Sequence, residues 1–129
     1  TLQLIPQGLT EPAYETIVKG NTVNYSFASV AAGTYTLKVS KANHVTREYT
    51  IVVDSSSVIQ DVKIHLKGDI NGDGRISVSD VGLANAHAKK VSTLEGYQFN
   101  CANVNGDARI TISDVGLMNA HAKKKSLLW

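Results

Sequence analysis

Two stretches of this 129-residue chain place oxygen-bearing side chains at fixed intervals. The first runs Asp69-Ile70-Asn71-Gly72-Asp73-Gly74-Arg75-Ile76-Ser77-Val78-Ser79-Asp80. Counted from Asp69, side-chain oxygens fall at positions 1, 3, 5, 9 and 12, with Gly74 at position 6. That is the spacing of a calcium loop, because a hard divalent cation takes about six to eight oxygen ligands. Asp69, Asn71 and Asp73 alternate, so their side chains converge while the backbone wraps the ion. Gly74 permits the sharp turn. The Arg75 carbonyl supplies a further oxygen, Ser77 acts through water, and Asp80 closes the shell. The plainer reading is an Asx-rich turn running into a helix capped by Ser77 and Asp80.

The second stretch is Asn103-Val104-Asn105-Gly106-Asp107-Ala108-Arg109-Ile110-Thr111-Ile112-Ser113-Asp114. Its ligand set is Asn103, Asn105, Asp107, the Arg109 carbonyl, Thr111 and Asp114. Asn103 stands where the first loop has Asp69, leaving two carboxylates instead of three. Ala108 replaces the turn glycine, and an alanine held at positive φ costs about 1 kcal/mol. Two calcium ions are therefore expected, the second held less tightly. Residues 69–90 align with 103–124 without gaps, and 16 of the 22 positions are identical. Duplication in register favours metal loops over a chance turn, and two copies are too few for a solenoid.

The elements around the loops follow from periodicity. Each loop runs into an amphipathic helix, Val81–Lys90 and Val115–Lys125. Lysines at their ends suit the negative end of a helix dipole. An EF-hand also has a helix entering the loop. Here Val62, Ile64 and Leu66 alternate as a strand, so each repeat is expected to be a loop plus an exiting helix only. Position 12 carries Asp, where calcium sensors usually carry a bidentate Glu.

Residues 1–66 read as a β-sandwich domain. Val23, Tyr25 and Phe27, then Tyr35, Leu37 and Val39, then Tyr49, Ile51 and Val53 alternate with polar residues at period two. Turn signals at Lys19-Gly20-Asn21, Ala31-Ala32-Gly33 and Asp54–Ser57 separate them. Lys67-Gly68 reads as a short hinge, and residues 67–129 form the second, all-α domain.

Composition bounds the rest. Hydrophobic residues are 43% and charged residues 19%, which fits a folded chain rather than a disordered one. The net charge of +2 lacks the basic bias of a nucleic-acid binder. No apolar run approaches the roughly 18 residues of a membrane helix. Thr1-Leu2-Gln3 shows no basic, apolar leader, so no targeting signal is visible and the chain reads as a piece of something longer. One cysteine, Cys101, excludes an internal disulfide and a Cys-rich zinc site. No nucleophile–base pair or acid pair stands outside the loops, so no enzyme is expected.

Some residues carry two readings. Gly82 and Gly116 lie in the first turn of each helix, either for close approach of a partner or for close packing of the two helices. His87 and His121 lack an acid or cysteine at ligand spacing and read as packing residues. Cys101 reads as inert core. Trp129 reads as a partner anchor or as packing against the start of the second domain. Tyr25, Tyr35 and Tyr49 lie on the apolar side of their strands and read as core rather than as sugar-stacking rings.

The duplicated loops, the Asp at position 12 and the absent entering helix together resemble the dockerin family, the calcium-dependent docking modules of cellulosomes. Residues 68–129 match the extent of such a module. The resemblance implies an extracellular setting, on a cellulosome or bacterial cell surface, and a cohesin as partner. Dockerin recognition positions fall on Val78, Ser79, Asn85, Ala86, Lys89 and Lys90, and on Ile112, Ser113, Asn119, Ala120, Lys123 and Lys124. Gly82, Leu83, Gly116 and Leu117 complete the matching faces. The apolar-Ser pairs depart from the Ser-Thr pairs of enzyme-borne dockerins. Gly33–Ala42 resembles the carboxypeptidase-regulatory-like sandwich of the X modules that precede dockerins in scaffoldins. The competing classes are a calcium sensor or buffer and a carbohydrate-associated accessory module.

Overall fold

The structure is a computed structural model that describes residues 1–20 and 23–129. The expected turn residue Asn21 lies outside the described residues. The chain divides into two compact units. The first comprises Thr1–Ala42 and Thr46–Lys63, and the second comprises Asn43–Val45 and Ile64–Trp129.

The first unit holds a four-stranded antiparallel sheet: β1 (Leu2–Pro6), β2 (Tyr14–Thr16), β3 (Gly33–Val39) and β4 (Arg47–Val53), in the order β2-β1-β3-β4. Register aligns Leu4 with Leu37 and Tyr35 with Ile51. Leu2, Leu4, Tyr35, Leu37, Val39 and Ile51 are consequently buried on one face. The period-two pattern of Tyr35, Leu37 and Val39 acts as the alternation requires.

Two expected strands are not formed. Residues 23–27 and 62–66 join no ladder among the described residues, apart from one isolated bridge between His44 and Leu66. At Lys63 side chains occupy both backbone groups that a ladder would use, and Tyr25 reaches the chain beside that segment. The Tyr25 hydroxyl donates to the Gln60 carbonyl, and Arg47 Nη1 donates to the Lys63 carbonyl at 2.9 Å. The Tyr49 hydroxyl accepts from the Lys63 N–H at 3.2 Å. Burial, with Tyr49 and Asp61 nearby, pushes the Tyr25 phenol above its ordinary value. A cavity of about 510 Å³ remains over the sheet face, lined by Leu4, Leu37 and Ile51 and by Tyr25, Phe27 and residues 54–60. The described strands thus make one sheet with loosely covering segments.

The second unit holds α1 (Val78–Ala88), α2 (Gly96–Ala102) and α3 (Ile112–Ala122). α1 and α3 pack on each other. Ile70, Ala84, Leu94, Cys101, Ala102, Val104, Ile110, Val115 and Met118 form the core. α1 and α3 start three residues before the sequence expectation, because Ser77 with Asp80 and Thr111 with Asp114 form capping boxes that draw the loop ends into the first turn.

Three corrections follow. The second loop, expected to be followed but not preceded by a helix, does have an entering helix, because α2 (Gly96–Ala102) runs directly into Asn103. Lys67-Gly68 is no hinge. The Lys67 N–H donates to the Asn43 carbonyl and the Gly68 N–H to the Cys101 carbonyl, both at 2.9 Å. Gly68 is buried at φ +92°, with Ile76 and Leu128 where a Cβ would point. Residues 64–66 belong with the helices rather than the sheet, because the Val45 N–H donates to the His65 carbonyl at 2.9 Å.

Candidate metal centres

The first loop is organised by its two ends. Asp69 is 1% exposed and Asp80 0%. Asp69 Oδ1 accepts the N–H groups of Gly72 and Asp73 at 2.8 and 3.2 Å, and Oδ2 accepts Gly74 at 2.9 Å. Asp80 Oδ1 accepts Ile70 and Asn71 at 2.7 and 3.1 Å, tying the helix start back to the loop start. Asp80 Oδ2 accepts the Ser77 N–H at 3.0 Å. Asn71 and Asp73 turn the intervening chain by accepting the N–H two residues on, at 3.1 and 2.9 Å. Gly72 and Gly74 take φ of 73° and 87°, the left-handed region glycine enters without steric cost.

One carboxylate oxygen each from Asp69, Asp73 and Asp80 lies within 4.8 Å of the others. Carboxylates this close repel one another, and a cation held between them would relieve that repulsion. The donors are all oxygen, the chemistry of a hard cation such as calcium. These residues fit the ion that the spacing implies.

The second loop repeats the scaffold with fewer ties. Asp114 is 0% exposed and accepts Asn105 and Thr111 N–H groups at 3.2 and 2.9 Å. Asn103 Oδ1 accepts the Gly106 N–H at 3.1 Å. Asn105 accepts from Asp107, and Asp107 from Arg109, each at 3.1 Å. Ala108 sits at φ 68°, the strained position expected where the first loop has Gly74.

The candidate docking residues separate by exposure. Val78, Ser79, Gly82, Lys89 and Lys90 are exposed, as are Ile112, Ser113, Gly116, Leu117, Lys123 and Lys124. Leu83, Asn85, Ala86, Asn119 and Ala120 are half-buried. Val78 is 76% exposed and Ile112 72%, so each helix begins on an uncovered apolar side chain. A Cβ added at Gly82 or Gly116 would meet nothing within 4 Å. Helix–helix packing therefore does not account for either glycine. Ala84 and Met118, equivalent in the repeats, are both 0% exposed.

The histidines do work the sequence did not reveal. His87 Nδ1 accepts the Leu94 N–H at 2.8 Å, and His121 Nδ1 accepts the Leu128 N–H at 3.0 Å. Each ring closes the turn after its helix and is covered by an aromatic ring, Phe99 for His87 and Trp129 for His121. Trp129 thus rests on His121, and Leu128 rather than Trp129 lies against Gly68. Cys101 is buried with His65 Nδ1 3.7 Å from its sulfur. Among the described residues, no helix is long and apolar enough to cross a membrane. Comparison with protein-family models, curated proteins and solved structures found no match.

Proposed function

We propose that the helical unit is a calcium-dependent, non-catalytic docking module of dockerin type that binds a cohesin. The observation that carries the reading is the pair of all-oxygen loops in register, the first bringing Asp69, Asp73 and Asp80 within 4.8 Å of one another. Calcium bound there would neutralise the converging acids. Asp80 and Asp114 link each loop to its helix, so ordering the loops orients α1 and α3. Those helices present matching exposed residues, Val78, Ser79 and Gly82 against Ile112, Ser113 and Gly116. In this reading the sheet unit is an accessory X module with a regulatory-like sandwich ancestry, and the setting is extracellular.

The test is a pull-down of the full chain with a panel of cohesins, in calcium and in chelator. Capture in calcium that chelator abolishes is expected. Failure to bind any cohesin while calcium binding persists would point to the second reading, a sensor or buffer. The entering helix α2 favours that reading. Against it, Met118, the chain's one methionine, is fully buried rather than lining a groove that a sensor would open.

A further inference from the structure

We infer that His65 is a positioning residue for the first cation loop, acting through the backbone of Gly72. The inference rests on the calcium reading of that loop. A Cβ built on Gly72 would lie 2.6 Å from His65 Nε2 and 2.8 Å from its Cε1. The imidazole edge therefore fills the space beside the loop backbone between Asn71 and Asp73. At Gly106, the equivalent position of the second loop, the same Cβ meets nothing within 4 Å.

His65 is held through its backbone, and its ring is flanked by Tyr97 and Cys101. The His65 N–H donates to the Tyr97 hydroxyl at 2.9 Å, and that hydroxyl donates to the Val45 carbonyl at 2.6 Å. The Val45 N–H returns to the His65 carbonyl at 2.9 Å. The Tyr97 ring stands edge-on to the imidazole at 5.1 Å. Nδ1 faces the buried Cys101 sulfur at 3.7 Å. Gly72 in turn donates its N–H to Asp69 Oδ1 at 2.8 Å. A fixed ring against Gly72 thus fixes the backbone from which Asn71 and Asp73 project. The effect is one of shape and needs no change in the ring's charge.

Groups that orient metal ligands from outside the ligand set commonly change affinity about tenfold or more when removed. Calcium titration calorimetry on the full chain should show His65→Ala weakening the tighter event by about tenfold. The weaker event should keep its affinity, and His65→Phe, which keeps a flat ring, should recover most of the loss. Equal weakening of both events, or none, would overturn the inference. A second measurement covers poor folding of His65→Ala. Gly72→Ala and Gly106→Ala carry the same left-handed strain, at φ 73° and 77°. Gly72→Ala should lower the urea midpoint further, and adding His65→Ala should remove the excess. Equal midpoints would overturn the contact on which the inference stands. An unaltered chain that binds no calcium would instead overturn the calcium reading, and this assignment with it.

Discussion

The two loops share a scaffold and differ in what stabilises it. In the first, a buried carboxylate at position 1 gathers three backbone N–H groups, and the His65 ring lies against Gly72. In the second, Asn103 gathers the Gly106 N–H, Ala108 holds a left-handed backbone, and the space beside Gly106 is open. The buried Asp at position 12 is common to both. The link between loop and helix is therefore common to both repeats, while loop charge and the packing beside the loop differ. If both loops take an ion, as proposed, they differ in preorganisation as much as in the number of carboxylates offered.

The largest effect expected comes from removing calcium altogether. Converging acids and helices of about three turns are marginal without an ion. Chelation should abolish most helical circular dichroism and leave the β signal of the sheet unit. Unchanged helicity would break the premise that either loop depends on an ion.

Next come the shared residues. Asp80→Ala strands the N–H groups of Ile70, Asn71 and Ser77, whereas Asp114→Ala strands those of Asn105 and Thr111. In saturating calcium, urea unfolding should show losses of about 3 and about 2 kcal/mol respectively. A reversed order would remove the first loop from its dominant place.

Asn103→Asp restores the missing carboxylate. It should tighten the weaker calcium event by about tenfold, or ~1.4 kcal/mol. Calorimetry in which the two events move closer together would sharpen the comparison, and unaltered affinity would assign the difference to support rather than charge.

The smallest effect concerns backbone strain. Ala108→Gly should stabilise the calcium-loaded chain by about 1 kcal/mol, since φ 68° suits glycine. Gly74→Ala should cost a similar amount through φ alone, because its Cβ would meet no atom within 4 Å. Thermal unfolding of the two variants should shift in opposite directions.

Local signals were legible where one short stretch carries the whole pattern. The loops announce themselves through oxygen spacing, and β3 and β4 through period-two alternation. β1 and β2 escaped notice because five and three residues carry too little periodicity. α2 is a seven-residue helix opening on Gly96 at φ 58°, so neither propensity nor period marks it. Residues 23–27 carry a strand's alternation without a ladder partner, and pattern alone does not supply one. The contact of His65 with Gly72 depends on how the loop folds back rather than on any periodicity, and the pairing of 43–45 with 65–67 joins distant residues. No window of sequence displays that pairing.

That pairing gives the helical unit a discontinuous chain, and connectivity alone then links the stabilities of the units. Between Val45 and Ile64 the chain leaves for Thr46–Lys63, which belongs to the sheet unit. While the sheet is folded, Arg47 holds the Lys63 carbonyl at 2.9 Å, so the two ends of this excursion are already together. Once the sheet unfolds, docking 43–45 must close a free loop of about 18 residues, at an entropic cost of about 2 to 3 kcal/mol. A fragment beginning at Lys67 would lose the docked segment outright. The folded sheet thus raises the effective concentration of Asn43–Val45 at its docking place, as a tether does for a linked ligand.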